Sequence, residues 1–374
     1  MPMNDDNWNG IYGQESVKTL LNSLISSEKI PHAFLFKGND GIGKEFTAIR
    51  FAQAINSNYM LPDKGEHISQ LIRNLNEPYI KYIFPLPRGR NETETSGPME
   101  KLSQEDNDLI KEELGTKIRN PYHNIKIPKA NQIKISSIRD IRKFLSMDYS
   151  DLKFRFVLVS SAHLMNEEAQ NALLKNLEEP PEGIIFILST PFPEQLRETI
   201  RSRCWIINFQ PLKLNDVEKI LEEYFNVDKE SARSAALFSN GSVTEAVNLL
   251  QHDLALLKEK TILVLRYSFG KRFHSALDEF NSVLNEQGSE SFKILILMII
   301  SWLNDLQKFR AGLTNYFFDD YQETFRKFNL RFSDVELNEI VYKLDRSASL
   351  LKNNVNLSTL TLYIITELSR LTRK

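Results

Sequence analysis

The sequence predicts an α/β fold with a parallel, helix-covered sheet, followed by a region that is helical only. Two observations indicate this. Short apolar runs alternate with helical periodicity as far as about residue 210, and no strand pattern follows Pro211. Strands that are apolar on both faces and separated by helices are typical of parallel sheets. The predicted strands are residues 33–36, 154–159, 184–188 and 205–209.

Composition excludes several classes of protein. The 47 basic and 49 acidic residues nearly cancel, so net charge gives no evidence for a nucleic-acid or membrane partner. Cys204 is the only cysteine of the sequence, which excludes an internal disulfide framework and a multi-cysteine zinc site. The opening residues 1–9 show no secretion signal, and the longest apolar run, residues 294–300, is too short to span a membrane. We therefore expect a cytoplasmic protein with no membrane partner.

The segment 38–45 has the sequence GNDGIGKE, follows a predicted strand and opens a predicted helix. This is the setting of a phosphate-binding loop, in which backbone N–H groups and a lysine surround phosphate oxygens. A glycine-rich turn that binds no ligand is the alternative. The candidate nucleotide-binding residues are Gly38, Gly41, Gly43 and Lys44.

Glu45 stands where the phosphate-loop pattern requires the serine or threonine whose hydroxyl ligates Mg²⁺. A carboxylate at this position crowds and repels phosphate, so the pattern predicts a degenerate loop with low nucleotide occupancy. Because Lys44 is retained, residual ATP affinity stays open, but no bound cofactor is expected.

The acidic residues of a working ATPase are also missing. Such an enzyme needs an acid at the end of a second strand to hold Mg²⁺, usually with a glutamate that activates water. The strand 154–159 is instead followed by Ser160 and Ser161, which carry no charge at neutral pH. His163 lies just beyond and is interpreted as a structural residue rather than a base. Three losses in one site argue against ATP hydrolysis.

Six segments together resemble the bacterial clamp-loader subunits of the AAA+ family. In chain order they are residues 13–15 (GQE), 30–36 (IPHAFLF), 38–45, 171–181 (NALLKNLEEPP), 202–204 (SRC) and 240–242 (NGS). The resemblance covers residues 11–250, except for an excursion at about residues 87–124 that is expected to hold one helix. It implies an AAA+ domain at residues 1–210, a helical lid at 211–252 and a helical collar at 253–374.

Within that family, the gamma or tau motor subunits keep the hydroxyl, the acids and a sensor arginine, whereas the delta-prime type has lost them. This chain is similar to the second type, and Thr244 stands at the position of the sensor arginine. The resemblance implies a non-hydrolysing stator of the DNA polymerase III clamp loader. The implied partners are the gamma or tau and delta subunits, with the sliding clamp and primed DNA reached through the complex.

The resemblance further implies that Arg203 of the SRC motif is an arginine finger, which acts in trans on the ATP site of a neighbouring subunit. The residue type suits this role, because guanidinium is planar, permanently charged and matched to phosphate oxygens. Arg197 and Arg201 lie close by, so an ordinary surface arginine is the alternative.

The family usually carries a four-cysteine zinc module after the phosphate-loop helix, and this chain has no cysteine there. Either the excursion replaces the module or the module folds without metal, so no zinc is expected. A helix beginning near residue 136 carries Arg139, Arg142 and Lys143, and its N-terminus is a hypothetical DNA-phosphate contact. Two other functions stay open, namely an ATP-hydrolysing motor subunit and a free-standing nucleotide- or DNA-binding scaffold.

Overall fold

A computed structural model of the chain describes residues 5–57, 62–93, 96–147, 152–287, 289–314, 316–350 and 356–372. The chain divides into two compact units, Met1–Glu245 and Ala246–Lys374. The finer boundaries at residues 210 and 252 stay predictions.

The first unit is built on a five-stranded sheet in which every adjacent pair of strands is parallel, in the order β2-β3-β4-β1-β5. The strands are β1 Ala33–Lys37, β2 Ile80–Ile83, β3 Arg155–Val159, β4 Ile184–Thr190 and β5 Trp205–Asn208. The predicted α/β fold class with a parallel sheet is confirmed. The sequence missed β2, because the buried Lys81 interrupts its short apolar run.

Helices cover this sheet and continue beyond it. In chain order they are α1 Glu15–Ser27, α2 Lys44–Ser57, α3 Pro62–Arg73, α4 Gln104–Arg119, α5 Ile135–Leu145, α6 Glu167–Glu178, α7 Glu198–Arg201, α8 Leu214–Phe225, α9 Lys229–Phe238 and α10 Val243–Leu250. In the described part of the excursion at residues 87–124 there is one α-helix, α4, as expected.

Side-chain caps define the ends of several of these helices. The Asn166 side chain accepts from the backbone N–H of Ala169 at the start of α6, and Pro180 and Pro181 follow its end. Ser103 caps α4 in the same way, by accepting from the backbone N–H of Asp106 at 3.1 Å. Each cap satisfies a backbone donor that has no partner within the helix.

The core of the first unit lies between the sheet and the helices on its faces. β4 is buried along its whole length, as is expected for a strand covered on both sides. One apolar cluster joins the strands to Ile138, Ile141 and Phe144 of α5 and to the apolar face of α6. The predicted α6 face is therefore confirmed; its members are Ala169, Leu173 and Leu177.

The second unit is helical throughout its described residues. Its helices are α11 Leu254–Phe269, α12 Phe273–Gln287, α13 Ser289–Arg310, α14 Gln322–Arg331, α15 Asn338–Leu350 and α16 Leu357–Arg370. Residues on several sides of α13 are buried, as its sequence predicts; they include Phe292, Leu295, Ile296, Ile299 and Leu303. Among the described residues, no helix is both long and apolar enough to cross a membrane.

Asn56 ties α2 to the entry of β3 and offers a test of this packing. Its buried amide donates to the carbonyl of Phe154 at 2.9 Å and accepts from the Phe154 N–H at 3.2 Å. We expect Asn56→Ala to lower the free energy of unfolding by about 2 kcal/mol, because both backbone groups lose their partner. Urea unfolding followed by circular dichroism measures this change. Ser57→Ala is the matched control, since its hydroxyl bonds only within α2; an equal loss in both variants contradicts the assignment.

Candidate functional site

The carboxyl ends of β1, β3 and β4 meet at one edge of the sheet, where ligands bind in open α/β folds. The loop 38–43 leaves β1, Ser160 follows β3, and Thr190 ends β4. The predicted phosphate loop and the predicted end of the second strand are therefore brought together. What their side chains do there differs from the arrangement of a working nucleotide site.

Two loop glycines occupy backbone conformations that other residues rarely adopt. Gly41 has φ +71° and Gly43 has φ +89°. A Cβ on Gly41 would lie 2.3 Å from the backbone nitrogen of Thr244. The loop is thus pressed against the start of α10, where the N–H of Val243 donates to the Gly41 carbonyl at 3.2 Å and the Ser242 hydroxyl donates to the Asp40 carbonyl at 2.6 Å.

Gln14 of the GQE motif fixes the other side of the loop. Its buried amide donates to the carbonyls of Ile42 and Gln210, and accepts from the N–H of Gln210 at 3.0 Å. The motif therefore joins the phosphate loop to the chain that leaves β5. The sequence of the motif indicates the family but does not predict these contacts.

Lys44 is folded back onto its own loop. Its ammonium donates to the carbonyl oxygens of Gly38 at 2.6 Å and Asn39 at 2.5 Å, and lies 3.5 Å from an Asp40 carboxylate oxygen. Burial lowers the pKa of Lys44, although the charges of Asp40 and Glu45 oppose that shift. The ammonium N–H groups of Lys44 are thus hydrogen-bonded to carbonyls of its own loop.

Glu45 is enclosed by donors from three other elements. Its carboxylate accepts from the Lys117 ammonium at 2.8 Å, from the Tyr82 hydroxyl at 2.9 Å and from the Ser160 hydroxyl. Burial alone would raise the pKa of Glu45, but the charge of Lys117 and these hydrogen bonds outweigh it and hold the pKa below its ordinary value. Burial and the nearby Glu45 charge raise the pKa of Tyr82.

Lys117 is the site residue that sequence analysis missed. It lies near the end of α4 in the excursion, with a side chain only 5% exposed, and also donates to the carbonyl of His123 at 2.7 Å. Helical periodicity does not predict that Lys117 is buried, because a lysine in a charged helix is normally expected to be solvated. The only hint in the sequence is that a buried Glu45 requires a cation from elsewhere.

The residues after β3 occupy the predicted position without an acidic side chain. Ser160 donates to Glu45, and Ser161 adopts a left-handed conformation with φ +50° beside the loop. The Nδ1 of His163 lies 3.1 Å from the hydroxyl of Thr190, and its ring packs edge-on against Phe192. These contacts fit the structural interpretation of His163.

The cavity left at the phosphate loop measures about 30 Å³. That is room for about two or three water molecules, whereas small-molecule sites measure about 300–1,000 Å³. Lys44 and Glu45 are engaged by protein groups, and Thr244 offers no charge to a phosphate. In this arrangement the loop residues do not fit a magnesium nucleotide.

Arg203 lies at the surface, between α7 and β5. Its guanidinium donates to the Thr199 carbonyl at 2.8 Å and pairs with the Glu178 carboxylate of α6 at 2.9 Å, while 35% of the side chain stays exposed. Arg203 is therefore not enclosed in the core of its own protomer. The two contacts orient a guanidinium that still has donors facing solvent.

The residues after Arg203 combine a buried thiol with exposed apolar surface. Burial raises the pKa of Cys204 to about 12, so this cysteine is a small core residue rather than a nucleophile. Trp205 and Ile206 of β5 are each 44% exposed. β5 is the last strand of the sheet order, and exposed apolar residues on an edge strand are typical of interaction surfaces.

The N-terminus of α5 is not exposed as the DNA-contact hypothesis required. Ser136 and Ser137 are buried, and the Glu92 carboxylate of the excursion lies 3.5 Å from the Ser136 hydroxyl. Glu92 also pairs with the buried Lys134 ammonium at 3.0 Å. A carboxylate from the same chain therefore lies beside this buried helix end, and the exposed N-terminus that the hypothesis needs is not present.

The chain after α2 forms α3, which packs against α2, and the excursion begins only after β2. Within the described part of the chain, no group of three or more histidine, cysteine, aspartate or glutamate side chains is arranged to hold a metal. The expectation of no zinc stays a prediction.

A model of the family described as DNA polymerase III, delta subunit, matches residues 13–213. The chain belongs to this family. The match spans the whole sheet, the phosphate loop and the SRC motif, and it confirms the family that the motifs indicated.

Relatives of known identity carry related names. The chain is 27% identical to the DNA polymerase III subunit tau of Bacillus subtilis over 362 residues. The aligned residues cover 90% of this chain and 57% of the relative. This chain is 24% identical to the delta-prime subunit of the same organism, over 94% and 95% of the two chains. It is 28% identical to the gamma subunit of Buchnera aphidicola from Schizaphis graminum, over 66% and 58%.

The chain thus spans little more than half the length of the tau and gamma relatives. Among solved structures, a DNA polymerase III gamma-subunit-related protein from Thermotoga maritima superimposes with a TM-score of 0.43 at 16% identity, over 94% of this chain and 99% of that protein.

The Glu45–Lys117 ion pair predicts a strongly non-additive double-mutant cycle. Lys117→Met leaves the Glu45 carboxylate, whose side chain is 18% exposed, without its cation, and we expect it to cost about 3 kcal/mol of unfolding free energy, the low end for a buried pair. The double variant Glu45→Gln/Lys117→Met should cost clearly less, because no uncompensated charge remains. Urea unfolding of the single and double variants measures the coupling, and additive losses would contradict a direct pair.

The same pair predicts a specific pH dependence. Because the pKa of Glu45 is held below its ordinary value of 4.5, its contribution to stability is present above that pH and is lost as pH falls through the folded-state pKa. Glu45→Gln should therefore flatten the loss of stability on the acid side. Unfolding free energies of both proteins across that pH range test this; parallel curves would exclude it. Glu15→Gln is the control, since the Glu15 side chain is 81% exposed.

Proposed function

We propose that this chain is a non-hydrolysing subunit of the DNA polymerase III clamp loader, of the delta-prime type, which supplies Arg203 to the ATP site of a neighbouring subunit. One observation carries the proposal. The metal-ligand position of the phosphate loop holds Glu45, and the charge of Glu45 is neutralised by Lys117 of the same chain. A protomer arranged in this way has no ligand ready for Mg²⁺.

The surroundings of Arg203 support its part in the proposal. The guanidinium is held by one backbone carbonyl and one carboxylate and is a third exposed, so it can exchange the Glu178 partner for a phosphate at modest cost. The exposed Trp205 and Ile206 follow directly on an edge strand. Aromatic residues beside an arginine are typical of energetically important contacts between proteins.

The partners in this proposal are the gamma or tau and delta subunits. The sliding clamp and primed DNA are met through the complex, in the cytoplasm. An ATP-hydrolysing motor role fits the site less well. It would require Glu45 to leave three donors and ligate a metal, and a water-activating group in place of Ser161.

The test is reconstitution of the loader with its motor subunits and either the wild-type chain or Arg203→Ala. A trans-acting arginine accelerates hydrolysis by about 10³–10⁵ in other systems, so we expect DNA-stimulated ATP turnover at the adjoining site to fall by about tenfold or more. Arg203→Lys should recover little, because an ammonium lacks the planar fork of donors.

Arg197→Ala is the matched control, since Arg197 is another partly exposed arginine that pairs with a carboxylate, Glu167. Complex formation by size-exclusion chromatography should be the same for all variants. Turnover that is unchanged in Arg203→Ala would remove the finger assignment. ATP hydrolysis by the purified chain alone, abolished by Lys44→Ala, would instead establish a motor subunit. Failure to join the complex would favour a free-standing scaffold.

A further inference from the structure

The excursion closes the nucleotide pocket from within the chain. The small cavity at the phosphate loop is bounded on one side by Gly41, Gly43 and Lys44 of the loop, and on the other by Lys117 and residues 121–124. The second group belongs to the end of α4 and the segment after it. What remains between the two is about 30 Å³, room for about two or three water molecules.

Lys117 supplies the cation of this closed site. Its ammonium lies 2.8 Å from the carboxylate of Glu45, the residue that takes the place of the magnesium-ligating hydroxyl. The Ser160 hydroxyl, at the position of the strand-end acid, donates to the same carboxylate. The two positions at which the family pattern holds a metal are therefore joined by a network that a lysine completes.

Tyr122 supplies the bulk of the closed site. Its buried ring meets Phe46 of α2 and Tyr224 of α8 edge-on, with centroids 5.6 and 5.2 Å away. Its hydroxyl donates to the Gly10 carbonyl at 3.2 Å and accepts from the Tyr12 N–H at 3.1 Å. A flat ring with hydrogen bonds at its edge thus lies between the chain's first residues, the loop helix and α8.

The closing segment is anchored at several points rather than loosely laid across the loop. The Asn120 amide donates to the Tyr224 carbonyl at 2.9 Å. His123 contacts the Glu113 carboxylate of α4 at 3.0 Å. The excursion also has an apolar cluster of its own, formed by Phe84, Leu86, Leu102, Ile110 and Ile127. These contacts stabilise one position of residues 117–124.

We propose that residues 117–124 are an intramolecular occupant of the nucleotide pocket, in which Lys117 takes the place of the metal ion and Tyr122 fills space that a bound nucleotide would need. The segment lowers the affinity of the pocket for ATP by competing with it from within the same chain. The phosphate loop, with Lys44 and its three glycines, becomes able to bind nucleotide when the side chains of the segment are made smaller. This inference does not depend on Arg203, so either proposal can fail alone.

The experiment compares two triple variants that differ only in the bulk of the closing segment. The opened variant is Glu45→Thr/Lys117→Ala/Tyr122→Ala. The matched control is Glu45→Thr/Lys117→Met/Tyr122→Phe, which restores the same hydroxyl and removes the same charges but keeps the segment large. Both are titrated with ATP and Mg²⁺ by calorimetry, beside the wild type, and their folding is checked by circular dichroism.

We expect ATP to bind the opened variant about tenfold or more tightly than the control. In the control the pocket is open for only a fraction of the time, and its apparent affinity is reduced by that open fraction. Adding Lys44→Ala to the opened variant should abolish the gain. Tight binding by the wild type or by the control would overturn the proposal, since the segment would then not close the pocket. Binding by none of the three would also overturn it, because the loop itself would be at fault.

If the opened variant does not fold, the milder pair Glu45→Thr/Lys117→Ala and Glu45→Thr/Lys117→Met is titrated with pyrophosphate, which probes the phosphate half of the pocket alone. Pyrophosphate binding by the alanine member only supports the proposal. Equal binding by both members, or by neither, contradicts it.

Discussion

The Glu45 carboxylate joins several elements of the first unit through its ion pair and hydrogen bonds. It sits in the first turn of α2 at the carboxyl edge of the sheet, where burial without a partner would cost several kcal/mol. Lys117 removes that cost, and the hydroxyls of Tyr82 and Ser160 satisfy the remaining lone pairs. A substitution at one position of the phosphate loop thereby couples α2, β2, β3 and the excursion. The side chain that stands in place of the metal ligand is thus paired with a lysine from α4 of the excursion.

A second ion pair, between Glu92 and Lys134, also connects the excursion to the rest of the first unit. The Glu92 carboxylate and the Lys134 ammonium are both buried, and the lysine also donates to the carbonyls of Pro87 and Pro98. In each case one member of the pair comes from the excursion and the other from the rest of the first unit. Breaking a buried pair leaves an uncompensated charge, so these pairs specify where the excursion docks more than they add net stability.

This arrangement suits a protomer that keeps one shape through a neighbour's ATP cycle. A ligand shifts a conformational equilibrium only when it contacts the two conformations differently. If the pocket is filled by its own chain, as proposed, nucleotide makes no such contacts in this protomer. Under the proposed function, the edge that carries Arg203 is presented in the same way whatever the nucleotide. The retained phosphate-loop glycines then serve the packing of the loop against α10, because Gly41 leaves no room for a side chain beside Thr244.

The sequence alone determined the α/β class, four of the strands, the phosphate-loop turn and the position of Ser160 beside it. Those features are local, since apolar periodicity, glycine conformation and helix stops act within a few residues of each other. Only the tertiary structure decided that Glu45 is paired, that Lys117 pairs with it, and that Tyr122 lines the cavity at the phosphate loop. The two members of that pair lie 72 positions apart, and nothing in the local pattern of a charged helix distinguishes a buried lysine from a solvated one. Long-range pairing is fixed by packing and by the need to neutralise a buried charge, which the chain meets only once it has folded.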